Sequence, residues 1–313
     1  MTPALKESLR DIIKGSASTL LLFLSYAVFP MIGTPAGVLS PYPALFYALK
    51  RGRTSGLAIV LVTLAVLALT DPTIALLYMV QGGLLSLLLA EFLRRGNGGA
   101  RSIAGAVAGV TILAIVTAAA CSLASGIDLN RMVQTGIAAS IKQTAALYQK
   151  GGLSSEDLSA VNEALKQSGV FIGTAYPALM ILLMVAFAGV NLSLLGRNTG
   201  RLPEPPAIGR FSGYRTPDHL VWLLIASGFC LLLEQPGLFQ AALNILIVTL
   251  GLYFIQGLAI ITSFFDRLKL SALMRGIFYL LLAVQPYLAV GVALLGLFDL
   301  WFNFRTPKKG ENL

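Results

Sequence analysis

Uncharged polar side chains lie inside several long apolar segments of this sequence, where they are best placed to recognise a ligand. We interpret five of them as candidate ligand-binding residues: Tyr78, Gln81, Asn244, Gln256 and Gln285. Asn191 is a further amide of this kind. Lipid makes a polar group costly unless it faces protein or water. Because an amide both donates and accepts hydrogen bonds, the set suits a small, polar, uncharged molecule. Hydrogen bonding between helices is the alternative.

No pattern typical of a catalytic or metal site accompanies these amides. His219 is the single histidine, and neither Cys121 nor Cys230 has a second ligand at motif spacing, so we predict no metal and no cofactor. Motifs for zinc proteases, serine hydrolases and nucleotide binding are missing from any suitable context. The acids Asp266 and Asp299 lie near segment ends, away from the midplane where proton-coupled carriers keep theirs. We therefore predict no catalytic residues and no enzyme activity.

The segments that hold these residues have the composition of membrane helices. Of 313 residues, 56% are apolar and 12% are charged, against roughly 25% charged in ordinary soluble domains. A helix that crosses a bilayer needs about 20 apolar residues. Nine segments approach this length: 16–33, 38–49, 56–70, 72–93, 103–124, 170–195, 220–233, 241–265 and 277–302. We predict an all-α, polytopic transmembrane helical bundle with about eight to nine membrane segments.

Prolines make two of these segments irregular. Segment 38–49 is short and contains Pro41 and Pro43, which favours a re-entrant or tilted piece over a full span. Segment 277–302 is long and contains Pro286 near its middle, which predicts a kink or a hairpin. The number of crossings depends on these three residues.

Lysine and arginine clusters recur after every second segment. They are Lys6, Arg10 and Lys14; Lys50, Arg51 and Arg53; Arg94, Arg95 and Arg101; Arg197, Arg201, Arg210 and Arg215; and Arg267, Lys269 and Arg275. Untranslocated loops carry such clusters, so we predict an inner-membrane protein with a cytoplasmic amino terminus. The same clusters explain the net charge of +9 without a nucleic-acid partner. Only the tail, with Arg305, breaks the alternation, unless segment 277–302 is a hairpin.

Two stretches between the segments are more polar. Residues 126–167 are charge-balanced, and their apolar residues recur at helical spacing on either side of Gly151 and Gly152. Ser154 followed by Asp157 resembles a helix start. We predict an extracytoplasmic amphipathic helical hairpin that acts either as a lid or as a structural cap. Residues 196–217 are proline-rich, and we predict that they form a cytoplasmic connector. We predict one integral membrane domain over residues 1–313.

Two motifs point to a family. The sequences PYPALFYALKRG at residues 41–52 and GLFDLWFNFR at residues 296–305 resemble the YybS-like family of uncharacterised bacterial integral membrane proteins, over nearly the full chain. That family brings no established catalytic or binding residues. More distantly, the early proline-rich segment, basic turn and glycine-containing helix resemble the substrate-binding membrane subunits of energy-coupling-factor transporters. This second resemblance implies a vitamin- or metabolite-sized ligand and a separate ATPase module, although the chain is longer and lacks their Ala-rich helix.

Two functions stay open at this stage. The first is a small-molecule-binding transport subunit in the lipid bilayer, working with a small polar metabolite and with other membrane proteins or an ATPase module. The second is a non-transporting scaffold or regulatory partner of envelope proteins. A retained metabolite favours the first function, and a stoichiometric protein partner without a ligand favours the second.

Overall fold

A computed structural model describes residues 3–126, 128–151, 154–233 and 235–305. These residues form helices joined by turns and, at residues 198–219, by a longer connection with two short 3-10 helices, and no strand occurs within the described ranges. The predicted all-helical class is therefore confirmed. The chain divides into two compact units, Met1–Thr117 with Leu183–Arg210 (unit 1) and Ala118–Leu182 with Phe211–Leu313 (unit 2). The single-domain organisation stays a prediction.

Prolines and glycines separate the first seven helices, all of which lie in unit 1 except residues 118–125 of the seventh. They are α1 (Pro3–Val28), α2 (Pro30–Val38), α3 (Tyr42–Arg51), α4 (Arg53–Thr70), α5 (Pro72–Tyr78), α6 (Leu85–Arg94) and α7 (Gly98–Ser125), with a π-helix at Met79–Leu84 between α5 and α6. Gly52, at φ +119°, allows the sharp turn from α3 into α4. Asp71 caps α5 by accepting the Thr73 N–H at 2.7 Å.

The predicted boundary between the first two segments is wrong. Segment 16–33 was expected to run through Pro30, but α1 ends at Val28 and Pro30 is the first residue of α2. Proline has no N–H to continue the helix before it, and it fits the first turn of the helix that follows. The second segment is consequently divided between α2 and α3, with the break at residues 39–41.

The core of unit 1 lies where α1, α3, α4 and α5 meet. Its fully buried members include Phe23, Ile59, Leu67 and Tyr78, and the rings of Phe23 and Tyr78 meet edge to face at 5.3 Å. Glycines bring the neighbouring helices close: a Cβ on Gly105 or Gly109 of α7 would contact side chains of α6. The GxxxG spacing in α7 therefore serves packing within the unit.

Unit 2 contains the remaining helices. They are α8 (Leu129–Lys150), the first part of α9 (Ser155–Arg197), α10 (Leu220–Cys230), α11 (Pro236–Arg267), α12 (Ala272–Val284) and α13 (Pro286–Phe302). Helices α11 and α13 pack closely against each other at two glycines. A Cβ on Gly296 would lie 1.9 Å from the Tyr253 carbonyl oxygen, and one on Gly257 would lie 1.9 Å from that of Val292. At Gln285, α12 and α13 are bent by 109°, which confirms the break predicted from Pro286.

The described residues of the polar stretch 126–167 are mostly helical, but the second helix does not end where the sequence predicts, and Gly152 lies outside the described residues. Asp128 caps α8 through the Arg131 N–H, and Ser154 accepts the Asp157 N–H at 3.1 Å, as predicted for a helix start. The helix from Ser155 then continues without a break to Arg197, as one helix of 43 residues. The expected separate short helix is thus the first part of α9, because a lone Gly169 does not interrupt a helix.

Six helical stretches are long and apolar enough to cross a membrane. They are Lys6–Val28, Arg53–Thr70, Pro72–Arg94, Gly98–Ala124, Glu156–Arg197 and Gly237–Arg267, and the bent α12–α13 pair makes a seventh if it counts as one span. The predicted count of eight to nine is not confirmed, because segments 38–49 and 220–233 contain helices of only 10 and 11 residues. Apolar side chains such as Leu69 and Leu123, 88% and 90% exposed, suit a lipid-facing surface.

Candidate functional site

The break between α2 and α3 exposes a backbone carbonyl to a side chain of α9. Pro41 has no N–H, and the Tyr42 N–H bonds to the Leu39 carbonyl instead of reaching Val38. The Val38 oxygen is therefore free of helical partners, and it accepts a hydrogen bond of 2.8 Å from Nδ2 of Asn191. Ser40, in the centre of the break, is 1% exposed.

The π-helix between α5 and α6 contacts this break. Gln81, Gly82 and Gly83 are its buried residues, and a Cβ on Gly82 would lie 3.5 Å from the Ser40 hydroxyl. The same Cβ would approach the Tyr78 ring to 2.8 Å, so glycine leaves room for that ring. A π-helical turn is a common mark of a functional position in a helix. Two irregular backbone segments thus meet in unit 1. We call Ser40, Tyr78, Gln81, Gly82 and Asn191 the break site.

Two amide side chains of the break site have hydrogen-bonding groups without a partner among the described residues. Asn191 is completely buried, and its Nδ2 donates to Val38 and Phe187, whereas its Oδ1 accepts nothing from the residues that the structure describes. Gln81 is 7% exposed and likewise makes no side-chain hydrogen bond within the described ranges. A buried acceptor without a partner is unfavourable, so these amides have capacity left for a ligand.

Asn244 has a different role, since it repairs the hydrogen bonding of α9 around Pro177. Asn244 Oδ1 accepts the Ala178 N–H at 2.9 Å, and its Nδ2 donates to the Thr174 carbonyl at 2.9 Å. Pro177 has no N–H to donate to the Gly173 carbonyl. That carbonyl instead accepts a hydrogen bond of 2.7 Å from Gln134 Nε2 of α8. These contacts match the alternative interpretation of the amides, hydrogen bonding between helices.

Gln256 is the centre of a buried network at the end of α13. Its Oε1 accepts the Thr216 N–H at 2.8 Å, and its Nε2 donates to Oδ2 of Asp299 at 3.1 Å. Asp299, 1% exposed, also accepts the Phe304 N–H, and Arg305 Nη2 lies 3.4 Å from its Oδ2. Burial lowers the pKa of the Arg305 guanidinium, and the charge of Asp299 opposes that effect.

The predicted ligand residues therefore occupy several places. Tyr78 and Gln81 lie together in unit 1. In unit 2, Asn244 and Gln256 are about three turns apart on α11, roughly 18 Å, and Gln285 is exposed at the α12–α13 bend. That all five line one pocket stays a prediction.

Sequence reasoning missed Ser40, Asp299 and Arg305. Ser40 directly precedes Pro41, and nothing in the local sequence indicates that its side chain is buried. For Asp299 the sequence does contain a signal, because a carboxylate within the apolar run GLFDLWF needs a nearby cation. Arg305 follows Asp299 by less than two helical turns. Among the described residues, no group of His, Cys, Asp or Glu is arranged to hold a metal ion.

Comparison with known proteins identifies a family. The chain is similar to the uncharacterized protein YybS of Bacillus subtilis (strain 168), with 22% identity over 294 residues that cover 92% of this chain and 94% of that protein. No solved structure matches it. The resemblance to YybS-like membrane proteins is confirmed, and the resemblance to energy-coupling-factor subunits is not shown. A match to the description "Predicted membrane protein (DUF2232)" spans residues 17–300, so the chain belongs to that family of membrane proteins.

Proposed function

We propose that this multi-pass membrane protein binds a small polar molecule at the break site and acts as the membrane subunit of a transport system. The observation that carries the proposal is the buried Asn191 Oδ1, which accepts no hydrogen bond within the described chain and stands beside a broken helix. Irregular backbone at membrane depth is tolerated where it is buried in protein or lines a cavity. Transporters build substrate sites from discontinuous helices of this kind.

The chemistry of the break site favours an uncharged ligand. Ser40, Gln81 and Asn191 offer hydroxyl and amide groups, and Tyr78 adds an aromatic face. None of these side chains carries a formal charge at neutral pH, so an ionic ligand would lack a counter-charge there. Asn244, Gln256 and Gln285 have no part in this proposal, because the first two are engaged in hydrogen bonds and the third is exposed.

The proposed topology has eight crossings in the inner membrane, with the amino terminus in the cytoplasm. The crossing elements are α1, the broken pair α2–α3, α4, α5–α6, α7, α9, α10 and α11. The lysine and arginine clusters support this direction, since each lies at a proposed cytoplasmic end. In this arrangement α8 and the start of α9 form the extracytoplasmic hairpin, and α12–α13 returns to the cytoplasmic side.

The proposed role is binding and transport without chemical conversion. The sequence carries no nucleotide-binding motif of its own, so the proposed partner is a separate ATPase module in the membrane. A scaffold for envelope proteins remains the competing function, and the following experiment separates the two.

The test is retention of a small molecule by the full-length protein after purification in mild detergent. Native mass spectrometry should detect one bound molecule on the wild type and none on Asn191→Leu or Gln81→Leu. Asn97→Leu is the control, because Asn97 lies in the α6–α7 turn of the same unit and is not part of the break site. Thermal unfolding of each variant establishes that it is folded.

Two results contradict the proposal. If the wild type retains no small molecule but copurifies with a stoichiometric protein, the scaffold function is correct. If Asn191→Leu and Gln81→Leu retain the molecule as well as Asn97→Leu does, the ligand binds elsewhere.

A further inference from the structure

A groove opens among the ends of α3, α4 and α6 in unit 1. It has a volume of about 260 Å³. Its lining residues are Ala48, Arg53, Thr54, Leu57, Leu87, Ala90, Glu91 and Arg94. The floor is aliphatic, from Ala48, Leu57, Leu87 and Ala90, whereas the charged residues stand at the helix ends. We call this feature the arginine groove.

Positive charge exceeds negative charge at the arginine groove. Glu91 is the one acid of its lining, and it accepts hydrogen bonds from Arg53 at 2.6 and 2.8 Å and from Arg95 at 3.0 Å. Arg94 donates to the Ala48 carbonyl, so its charge is not matched by a carboxylate there. The groove is thus lined by two guanidinium groups and one carboxylate, and that carboxylate is also paired with Arg95. An anion at the rim would balance the excess.

The positive charge of Arg53 is accessible to a ligand. The Arg53 side chain is 73% exposed, and only its Nε and Nη2 are engaged by Glu91. A guanidinium has five N–H donors, so Arg53 can hold a phosphate without giving up Glu91. Leu57, on the floor beside it, is 47% exposed and offers apolar surface next to the charge.

We propose that the arginine groove binds one anionic phospholipid, with its phosphate at Arg53 and Arg94 and an acyl chain on the aliphatic floor. The ligand must combine a negative head with an apolar tail, because the groove combines a basic rim with an apolar floor. Basic pockets between transmembrane helices are known to recognise anionic lipid head groups. A free phosphate would use the rim alone. The inference does not depend on the proposed transport function.

The test compares lipid adducts on the full-length protein by native mass spectrometry in detergent. The probes are phosphatidylglycerol, phosphatidylcholine with the same acyl chains, and inorganic phosphate. We expect one phosphatidylglycerol to bind the wild type at least tenfold more tightly than phosphatidylcholine does. Arg53→Gln should remove this preference by taking away the rim charge. Leu57→Trp should weaken binding of both lipids by filling the floor.

Arg10→Gln is the matched control, because Arg10 is an exposed arginine of α1 that does not line the groove. It should bind phosphatidylglycerol as the wild type does. An equal loss in Arg10→Gln and Arg53→Gln would show general attraction to a basic surface and overturn the site. Retention of the preference in Arg53→Gln would also overturn it, as would wild-type binding of both lipids by Leu57→Trp or displacement of the lipid by inorganic phosphate at equal concentration.

Discussion

Asn191 and Asn244 are the same residue type in membrane helices, and their amides are used differently. Asn244 presents its oxygen to a backbone N–H and its nitrogen to two carbonyls, so each end of the amide has a partner. Asn191 uses its nitrogen alone, at Val38 and Phe187. The neighbouring backbone differs, because the Ala178 N–H and the Thr174 carbonyl beside Pro177 both bond to Asn244, whereas the α2–α3 break offers Asn191 an acceptor, the Val38 carbonyl.

At the residue scale, the buried charge of Asp299 predicts a large effect on stability. Asp299→Ala leaves the Phe304 N–H and the Gln256 Nε2 without their acceptor and Arg305 without its ion-pair partner. Removing one partner of a buried ion pair costs about 3–5 kcal/mol. Thermal or denaturant unfolding in detergent, followed by circular dichroism, should show a loss of this size.

Asp266→Ala is the control for Asp299→Ala. Asp266 pairs with Arg275 at 2.9 Å but is 55% exposed, and an exposed pair contributes at most about 1 kcal/mol. Equal losses for the two substitutions would mean that the Asp299 network does not stabilise unit 2.

Polar residues inside the apolar segments are visible in the sequence, but their partners are not. Gln81 and Gln256 have the same type and similar surroundings in sequence, yet Gln256 is bonded to Thr216 and Asp299 while Gln81 has unused capacity. Which side chain meets an amide depends on helix rotation and on the depth of the neighbouring helix. Neither quantity is encoded by local composition.

At the element scale, the crossing of α11 and α13 depends on Gly296. Gly296→Leu places a Cβ where the Tyr253 carbonyl and the Gly257 nitrogen already lie, so the helices must move apart. Overpacking of this kind typically costs about 1–3 kcal/mol and more when backbone has to shift. The melting temperature of the purified protein should fall accordingly.

Gly291→Leu is the matched substitution in the same helix. A Cβ on Gly291 meets no heavy atom within 4 Å, so its melting temperature should stay close to that of the wild type. A Gly296→Leu protein as stable as Gly291→Leu would contradict the close approach of α11 and α13.

Helical elements were largely predictable, but their ends only in part, since the end of α1 before Pro30 was missed. Pro286 predicted the α12–α13 bend, and Ser154 predicted the start of α9. The continuity of α9 was missed because a change from polar to apolar composition resembles a boundary, although no residue there interrupts the helix. The π-helix at Met79–Leu84 could be suspected from Gly82 and Gly83 but not assigned, since glycines occur in α-helical turns as well.

At the scale of the whole molecule, the contacts of Arg305 predict the side of the membrane on which the described chain ends. Arg305 Nη1 donates to the Ser212 carbonyl at 3.0 Å, and Arg215 contacts Asn303. Both partners belong to the connector that precedes α10. Reporter fusions after Gly213 and at the carboxyl terminus should therefore report the same compartment, and a fusion after Gly151 should report the opposite one.

Opposite compartments for the first two fusions would mean that α12–α13 crosses the membrane once. The lysine and arginine pattern alone left this point open, because the basic residues near the end of the chain fit either a hairpin or an exception. The contact of Arg305 with Ser212 favours the hairpin, and such a long-range contact becomes visible only when the helices are packed.

The network around Gln256 also has a consequence for biosynthesis. Thr216 and Gln256 are translated before Asp299 and Arg305. The hydrogen-bond network around Gln256 therefore stays incomplete until two further helices, α12 and α13, have been translated. During that interval the Gln256 amide nitrogen lacks the carboxylate to which it donates, and the Ser212 carbonyl lacks the Arg305 guanidinium that donates to it. We therefore expect formation of the Asp299–Arg305 pair to be a late step in the assembly of unit 2.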